Sequence, residues 1–323
     1  MNNQSLHQAE TESFDDFFVR LFENKDRYGL SCQDIADILN RVSGQSFGES
    51  KWRKEYAAFA RGMRYVKQRA MRNVKNRILT ISDTHVPYEL PINTFSEYVG
   101  GVDTLVLNGD ISDCQAISSF PKNYRVSPMK ELIDSRQYLI DLICYIHPKK
   151  VIINYGNHDI RFQSYLAKNL DTDIIELMPQ TSLELILTDG FNHYDKQSGT
   201  KTYYAPLKNV IDDIEIEYTN SWFCQVGKTI FCHPLAYSSG ILKTTEKAVQ
   251  YFRNEGFVFN ALVMAHTHRI GEYKAGNTLM FEQGCCCDVN KQHYSNGRLS
   301  NSQKEGYCSK ESCRSGFYVS CYK

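Results

Sequence analysis

The sequence has no excess of either charge, since its 323 residues include 37 lysines and arginines and 37 acidic residues. It contains no run of about 18 apolar residues, the length that a membrane-spanning helix needs. Residues 1–18 have no cationic stretch followed by an apolar core, which a secretory leader would have. These absences disfavour membrane spanning, secretion and a chain-wide affinity for nucleic acid. We therefore expect a cytoplasmic protein with no membrane partner.

Cys-x-x-Cys spacing is also absent from the eleven cysteines, several of which lie in apolar strand-like runs. A reduced cysteine in such a run behaves as a small hydrophobic residue. The Cys285–Cys287 triplet and the series Cys308, Cys313 and Cys321 contain potential zinc ligands, but adjacent residues of a strand point to opposite faces. We expect reduced cysteines and no structural zinc site.

The length suits one large domain with a smaller appendage. Residues 1–75 are predicted to be helical, because apolar residues recur at helical spacing in residues 14–25 and Ser31 is a suitable N-cap for the next periodic segment. After a turn, a basic helix is predicted to start at about Ser50. Residues 76–323 are predicted to form the main domain.

The segment Lys51–Arg77 has ten basic residues and one acid, Glu55. The interleaved aromatic residues are Trp52, Tyr56, Phe59 and Tyr65. Two interpretations are open. A helix pair followed by cations suits a helix-turn-helix that binds DNA or RNA through phosphate contacts. Alternatively, the helices form a cap whose basic face is only solvated.

Strand-like runs begin after the basic segment. Apolar runs within residues 76–85, 102–112 and 149–159 each end in polar residues, as buried central strands do. A helix with one apolar stripe follows Pro128 and connects the second run to the third. This strand, helix, strand order indicates parallel neighbouring strands.

The second half of the chain is richer in strands. Hairpins are predicted to turn at Gly227–Lys228 and Gly276–Asn277, and a helix at about Leu242–Asn254 separates them. The sequence shows no internal repeat or low-complexity segment. The whole pattern predicts a layered α/β fold.

Five clusters of potential metal ligands each follow the C-terminal end of a predicted strand. They are Asp83 with His85, Asp110 with Asp113, Asn157 with His158 and Asp159, His233 alone, and His266 with His268. In an open α/β sheet such strand ends line one crevice, so residues distant in sequence are expected to converge there. A single histidine in this place would carry little weight, because most are ordinary core or surface residues. Five clusters with oxygen or imidazole donors predict a metal centre.

This donor set suits a pair of divalent ions about 3.5–4 Å apart. Such a pair needs a bridging carboxylate, for which Asp110 is the candidate, and imidazoles that hold metals of intermediate softness. The spacing of D-x-H and of H-x-H lets both side chains of each motif point the same way. Gly109 and Gly156 fit the same site, since glycine tolerates a sharp turn close to an ion.

The ordered motifs D-x-H, G-D-x-x-D, G-N-H-D, H and H-x-H resemble those of the calcineurin-like metallophosphoesterase superfamily, over the chain from about Asn76 onward. The helical N-terminal piece also resembles that of phage-borne members. The resemblance implies an α/β fold, a four-layer α-β-β-α sandwich of two mixed sheets, with a small N-terminal helical domain. It also implies two metal ions. The first would be held by Asp83, His85, Asp110 and His268, and the second by Asp110, Asn157, His233 and His266.

The mechanism that the resemblance implies is in-line attack on phosphorus by a metal-bridging hydroxide. His158 would lie beside the phosphate and stabilise its charge or protonate the leaving oxygen. Asp159 is predicted to orient His158 and Asp113 to support a ligand, although both would equally suit loop-capping carboxylates. Arg161 and Arg269 directly follow ligand clusters and are candidates for contact with the substrate phosphate.

Two departures from the family pattern are present. Ala265 stands where a glycine usually precedes H-x-H, a change that leaves the ligands in place. Cys114 and Gln115 stand where the protein-phosphatase branch has arginine and glycine, and the loss of that arginine weakens a protein-phosphatase assignment. Manganese is the expected ion, as in most bacterial-type relatives, while iron, zinc, nickel and magnesium suit the same donors.

The substrate is a phosphate ester, and the basic segment Lys51–Arg77 favours a phosphodiester of nucleic acid or nucleotides. The alternative is a phosphomonoesterase or protein phosphatase, for which the basic segment would be a solvated face. A second alternative is a DNA-binding protein whose metal domain is structural. The presence of every metal position together with His158 disfavours it. The sequence does not indicate an oligomeric state.

Overall fold

A computed structural model of the chain divides into two compact units, Met1–Asn73 and Val74–Lys323. The structure describes residues 6–9, 12–73, 76–119, 126–236, 238, 240, 242–291, 303–313 and 316–322, without the side chains of residues 63–73 and 311–322. The C-terminal part of the basic segment, with Tyr65, therefore lies outside the described side chains, as do those of Cys313 and Cys321.

The first unit is helical, as predicted. Its helices are α1 (Phe14–Glu23), α2 (Lys25–Tyr28), α3 (Cys32–Ser43) and α4 (Glu49–Asn73). Ser31 caps α3, because its hydroxyl accepts a hydrogen bond from the Asp34 backbone while the Asp34 carboxylate accepts one from the Ser31 backbone. Gly44 ends α3 in the left-handed conformation that favours glycine. The buried core of this unit consists of Phe17, Phe18, Leu21, Ile35, Ala36, Leu39 and Trp52.

Leu39→Ala should lower the free energy of unfolding of the first unit by about 2–5 kcal/mol, because the side chain is fully buried and its truncation leaves a cavity. Val42 lies on the same helix and is 43% exposed, so Val42→Ala should change stability by less than about 0.5 kcal/mol. Urea unfolding followed by circular dichroism measures both variants. Equal effects of the two substitutions would contradict the packing of α3.

The second unit contains strands and covering helices. Its strands are β1 (Asn76–Ile81), β2 (Thr104–Asn108), β3 (Lys150–Asn154), β4 (Phe191–Asp195), β5 (Thr200–Tyr204), β6 (Glu215–Tyr218), β7 (Phe223–Val226), β8 (Thr229–Cys232), β9 (Ala261–Met264), β10 (Ile270–Ala275), β11 (Thr278–Gln283), β12 (Tyr307–Cys313) and β13 (Gly316–Tyr322). Its helices are α5 (Pro128–Ile146), α6 (Arg161–Asn169), α7 (Thr172–Ile175), α8 (Ser182–Glu184) and α9 (Lys243–Asn254).

These strands form two mixed sheets and a separate β4–β5 hairpin. The first sheet has the order β13-β12-β1-β2-β3-β6, in which β1, β2, β3 and β6 run parallel. The second has the order β10-β11-β9-β8-β7, in which β11, β9 and β8 run parallel. Parallel neighbours end at the same edge of a sheet. The loops after β1, β2 and β3 therefore meet, as do those after β8 and β9.

Alternation along the central strands divides their side chains between two core layers. Leu79 of β1 packs in one cluster with Leu139 of α5, while the adjacent Ile78 packs in another with Phe231 of the second sheet. On the far side of the second sheet, Ile230 packs in a cluster with residues of α9. The layers follow the order helix, sheet, sheet, helix. The predicted α/β sandwich of two mixed sheets with an N-terminal helical region is therefore confirmed.

Three parts of the second unit were not predicted from the sequence. They are the β4–β5 hairpin, the small helices α6 to α8, and the antiparallel pair β12 and β13, of which β12 also pairs with β1. Strands such as β5, with the sequence TKTYY, are mostly exposed and lack the apolar alternation that marks a half-buried strand. No helix within the described ranges is long and apolar enough to cross a membrane.

Candidate metal centre

The residues predicted to bind metal all follow strands that end at neighbouring edges of the two sheets. Asp83 and His85 follow β1, Asp110 follows β2, Asn157 follows β3, His233 follows β8, and His266 and His268 follow β9. Asn108 Nδ2 donates to the Cys232 carbonyl oxygen at 3.1 Å, which ties the end of β2 to the end of β8. The structure thereby brings all seven of these side chains into one cluster.

The donor atoms of the first predicted ion position lie close to the His268 ring. Its Nε2 lies 3.1 Å from Asp83 Oδ1 and 3.1 Å from His85 Nε2. His85 Nε2 lies 3.9 Å from Asp83 Oδ1 and from Asp110 Oδ2. Ligands that bind one ion at about 2.0–2.2 Å are separated from each other by roughly 3–4 Å. The spacing of these donors therefore fits a divalent cation.

The second predicted position lies on the other side of Asp110. His233 Nε2 is 3.3 Å from Asp110 Oδ2 and 3.2 Å from Asn157 Oδ1. His266 Nδ1 is 2.6 Å from the same Asn157 oxygen. Asp110 Oδ2 thus lies within 3.9 Å of His85 on one side and 3.3 Å of His233 on the other. A carboxylate that bridges two ions would occupy this place.

Five of the seven predicted ligands have left-handed backbone conformations. The φ angles are 52° at Asp83, 46° at His85, 53° at Asp110, 80° at His266 and 53° at His268. They make up more than half of the nine non-glycine residues with positive φ in the described part of the chain. Such conformations are strained by about 1–3 kcal/mol each and concentrate at functional sites. The surrounding structure therefore enforces these side-chain directions against a local preference.

Two glycines allow the loops of the cluster to approach each other. A Cβ on Gly156 would overlap Asp110 Oδ1 and lie 2.6 Å from the Asp110 backbone nitrogen. A Cβ on Gly109, whose φ is +84°, would lie 2.7 Å from His233 Nδ1. Both positions were singled out in the sequence for close approach, and the geometry gives the reason.

Gly156→Ala should reduce bound metal by about 10–100-fold, because the added methyl displaces Asp110 and with it the support of both predicted ion positions. Gly227→Ala, in the β7–β8 turn where a Cβ meets nothing within 4 Å, is the control. Its φ of +59° costs some stability, but metal content should stay unchanged. Metal per chain is measured by plasma mass spectrometry after gel filtration. Equal metal content in both variants would contradict the close packing at Gly156.

His158 lies at the edge of the cluster with both ring nitrogens in contact. Its Nδ1 is 2.8 Å from the Asp113 carbonyl oxygen, and Arg161 Nη2 is 2.8 Å from its Nε2. Because arginine can only donate, Nε2 accepts and Nδ1 carries the hydrogen that points to Asp113. The Asp113 carboxylate Oδ1 lies 3.2 Å from His158 Nδ1 and 3.3 Å from His85 Nδ1. One carboxylate therefore borders both a predicted ligand and the predicted catalytic histidine.

Asp159 is fully buried and joins two loops of the cluster. Its Oδ2 accepts hydrogen bonds from the backbone nitrogens of Asp110 and Gly156, both at 2.8 Å. Burial and the neighbouring Asp110 carboxylate raise the pKa of Asp159 to about 7. A direct role in orienting His158 stays a prediction. Through these hydrogen bonds Asp159 holds the loop after β2 against the loop after β3.

Burial has the largest effect on the pKa values within the cluster. It raises those of Asp83 and Asp110, but nearby imidazoles outweigh it and hold both pKa values below the usual range. Burial lowers the pKa of His266 to about 4. At His233 burial acts in the same direction, but the Asp110 and Asp83 carboxylates outweigh it and raise the pKa to about 9. Asp83 and Asp110 are therefore anionic near neutral pH and attract cations.

The two arginines considered for substrate contact have different surroundings. Arg161 starts α6, and its Nη1 donates to the Asp113 carbonyl oxygen at 2.8 Å, next to His158. Arg269 follows His268 and is half-buried, and its backbone nitrogen donates to Thr267 Oγ1 at 3.4 Å. Contact of either guanidinium with substrate stays a prediction, and the geometry favours Arg161.

A series of side-chain hydrogen bonds that was not predicted from the sequence fixes the Asp83 carboxylate. Ser82 Oγ donates to Asp83 Oδ2 at 2.6 Å, and Gln283 Nε2 donates to Ser82 Oγ at 2.7 Å. Thr80 Oγ1 in turn donates to Gln283 Oε1 at 3.1 Å. All of these side chains are buried, so the series fixes Asp83 while its Oδ1 faces His268. The signal that would have found Gln283 is its place at the end of β11, beside β9.

The cysteines differ in state and position. Free thiols are present at Cys32, Cys114, Cys144, Cys224, Cys232, Cys285, Cys286 and Cys287. Cys308 is disulfide-bonded, so the expectation of reduced cysteines is wrong at that residue. Cys285 and Cys287 lie beside His268. A hydrogen bond with Cys287 lowers the pKa of Cys285 to about 6 despite burial, and His268 contributes in the same direction.

Two family models match the chain. Residues 76–269 match the model of the calcineurin-like phosphoesterases, and residues 2–71 match that of the YonJ N-terminal domain. A curated relative, the SPbeta prophage-derived uncharacterized protein YonJ of Bacillus subtilis (strain 168), is 34% identical over 59 residues. That match covers 18% of this chain and 15% of YonJ, so only a small part of the relative's length is spanned.

Solved structures of similar fold share little sequence with the chain. Vacuolar protein sorting 29 from Cryptosporidium parvum matches with a TM-score of 0.37 and 14% identity, over 77% of this chain and 97% of that chain. A metallophosphoesterase from Sphaerobacter thermophilus matches with a TM-score of 0.35 and 12% identity, over 77% of this chain and 88% of that chain. These likenesses are distant.

Proposed function

Because the chain belongs to the calcineurin-like phosphoesterase family, we propose that it hydrolyses phosphodiester bonds of nucleic acid or nucleotides with two bound divalent ions. Metal-dependent hydrolysis of phosphate esters follows from the family. The observation that carries the finer proposal is the position of Asp110 Oδ2, within reach of His85 on one side and His233 on the other. This arrangement supports two ions that share one carboxylate.

The donor set fits the proposed ions. Carboxylates, an amide oxygen and imidazoles together suit manganese, and iron, zinc, nickel and magnesium are alternatives. Asp83, His85, Asp110 and His268 would hold the first ion, and Asp110, Asn157, His233 and His266 the second. When bound, such ions supply a water that ionises near neutral pH and positive charge beside the phosphoryl group.

The remaining polar residues of the cluster would act directly on the substrate. Arg161 is the candidate to contact a phosphate oxygen, because its guanidinium already lies 2.8 Å from His158 Nε2. Release of that contact would free Nε2 to take a proton from solvent, and the resulting imidazolium could pass that proton to the leaving oxygen. Asp113 would keep the ring oriented through Nδ1, at 3.2 Å from its carboxylate. Metal binding, proton transfer and phosphate contact are thus assigned to different side chains.

A pocket beside the cluster supports a nucleotide-containing substrate. Trp222, Lys247 and Tyr251 are among the residues that line it, and the ring centroids of Trp222 and Tyr251 are 5.3 Å apart. Pro234, which directly follows His233, also lines this pocket, and the Trp222 carbonyl oxygen accepts a hydrogen bond from the His233 backbone at 2.7 Å, so the pocket lies near the end of β8. Aromatic side chains stack on bases, and a lysine attracts phosphate.

The N-terminal unit provides a basic surface for a polynucleotide. Arg53, Lys54 and Arg61 are exposed on α4. Lys51 lies over the Phe47 ring at 3.4 Å from its centroid, so this cation is held close to the surface of the unit. This surface supports nucleic acid over a small phosphomonoester as the substrate.

Replacing Arg53, Lys54 and Arg61 together by alanine should weaken binding of single-stranded DNA at low salt. It should also make the plot of log affinity against log salt less steep, by up to about 2 in slope. The reason is that each phosphate contact adds about 0.7 to the steepness of that plot. Lys196, Lys201 and Lys208 are exposed lysines of the second unit, and their triple alanine variant removes the same charge. Fluorescence anisotropy at several salt concentrations measures both. Equal changes in the two triple variants would contradict a specific role for α4.

The experiment that tests the proposed function compares substrates on the Mn²⁺-loaded protein. The panel contains single- and double-stranded DNA, RNA, bis-p-nitrophenyl phosphate and p-nitrophenyl phosphate, with Asp110→Ala and His158→Ala as inactive controls. We expect the diesters to be cleaved faster than p-nitrophenyl phosphate. Activity confined to p-nitrophenyl phosphate would replace the proposal by a phosphomonoesterase, and DNA binding without any hydrolysis would replace it by a DNA-binding protein.

A further inference from the structure

Three buried side chains near the end of β11 form a donor cluster that contains sulfur. The cluster consists of Cys285, Cys287 and His268, and one donor atom from each lies within 4.8 Å of the other two. Residues two apart on an extended segment point to the same face, which places both sulfurs together. Cys286, between them, packs instead into the core layer that contains Ile81. Cys285 and Cys287 are not adjacent in the chain, so both sulfurs can face the same ion.

The backbone that carries the two cysteines is held on both sides. Cys285 N donates to the Lys304 carbonyl oxygen at 2.9 Å, and Gly306 N donates to the Cys285 carbonyl oxygen at 2.8 Å. On the opposite side, Cys286 N donates to the Ser82 carbonyl oxygen at 3.0 Å. The thiols are thus presented by a fixed segment that lies between the loop of Asp83 and residues 304–306.

We propose that Cys285, Cys287 and His268 bind a thiophilic divalent cation of the zinc class. Zinc takes thiolates at about 2.3 Å and imidazole nitrogen at about 2.0–2.1 Å, so two such ligands lie roughly 3.5–3.8 Å apart in a tetrahedral site. The three donor atoms lie within 4.8 Å of one another, at most about 1 Å beyond that geometry, and small side-chain rotations would bring them to it. Two thiolates and one imidazole leave a fourth position open.

His268 links this sulfur cluster to the Asp and His donors of the proposed hydrolytic centre. Its Nε2 lies 3.1 Å from both Asp83 Oδ1 and His85 Nε2. A cation held by the cysteines would therefore share an imidazole with the first ion position or lie directly beside it. Soft thiolates favour zinc over manganese. The sulfur cluster would give this side of the centre a metal preference that the oxygen and imidazole donors alone do not have.

X-ray absorption at the zinc edge tests the proposal on the wild-type chain, loaded with excess Zn²⁺ under reducing conditions and then freed of loosely bound metal. We expect sulfur scatterers at about 2.3 Å beside nitrogen and oxygen at shorter distance. A spectrum with nitrogen and oxygen neighbours only, at full zinc loading, would overturn the proposal. No hydrolysis is measured, so failure of the phosphoesterase proposal leaves this result unchanged.

Cobalt substitution locates the sulfur. In the wild type we expect a thiolate-to-cobalt charge-transfer band in the near ultraviolet. The double variant Cys285→Ser with Cys287→Ser should lose this band and bind one fewer cobalt ion per chain. Cys144→Ser removes an exposed free thiol and should leave the band unchanged. Far-ultraviolet circular dichroism reports whether the double variant is folded. Persistence of the charge-transfer band in the folded double variant would assign the sulfur elsewhere and refute the site.

Discussion

Asp110→Ala is expected to lower kcat/KM for bis-p-nitrophenyl phosphate by about a thousandfold or more in the Mn²⁺-loaded protein, a loss of about 4 kcal/mol in transition-state stabilisation. Asp110 Oδ2 lies between His85 and His233, so the substitution removes the ligand that both proposed ion positions share. Without the ions, the water that would attack phosphorus has no cation to lower its pKa toward about 7. Steady-state kinetics and metal analysis of the same preparations measure the effect.

The control for this variant is Asp141→Ala. Asp141 is an exposed carboxylate on α5 that accepts a hydrogen bond from Gln137 Nε2 at 2.8 Å. Its removal changes the net charge by the same amount and should leave both rate and metal content unaltered. An Asp110→Ala protein that binds the same metal and retains the wild-type rate would show that the hydrolytic site lies elsewhere.

His158→Ala is expected to reduce kcat by about 10²–10⁴-fold while bound metal stays at the wild-type level. The reason is position: His158 Nε2 lies 3.9 Å from Asp110 Oδ2, at the edge of the ion positions, and its Nδ1 is directed to Asp113. We therefore expect the ring to act on the substrate's leaving oxygen instead of holding an ion. Kinetics with a good and a poor leaving group measure the effect, which should be larger for the poor one.

The matched control for His158 is His193→Ala, which removes a half-buried imidazole from the β4–β5 hairpin. It should leave kcat and metal content unchanged. Two results for His158→Ala would contradict its assigned role. Loss of metal in parallel with rate would make it a ligand, and a rate equal to that of the wild type would remove it from the reaction.

The side chains of the metal cluster could be predicted from the sequence, because the ends of parallel strands lie at one edge of a sheet. Ile81, Asn108 and Asn154 end three parallel strands of buried residues, and polar motifs follow each of them. Parallel strands end at one edge, so the sequence predicts which side chains meet without any knowledge of their distances. The same rule places His233 after β8. Apolar runs of this kind are readable in a single sequence because burial dictates their composition.

The remaining features depend on contacts between segments that are distant in sequence. Asp159 was predicted to orient His158, but its bonds to the Asp110 and Gly156 backbones arise only when two loops lie together. The positive φ of His266 is imposed by the surrounding structure, not by histidine's own preference. Polar strands such as β12 are recognised only through pairing with β1. The proximity of the Cys285 and Cys287 sulfurs to His268 likewise appears only in the folded structure.

The most direct test of a two-ion centre is anomalous X-ray diffraction from crystals of the full chain grown with Mn²⁺. We expect two anomalous peaks about 3.5–4 Å apart, one between Asp83, His85 and His268, the other between Asn157, His233 and His266, with Asp110 touching both. A single peak at saturating Mn²⁺ would contradict the two-ion centre. The absence of both peaks, or peaks only at other residues, would contradict the assignment of these side chains as the hydrolytic metal centre.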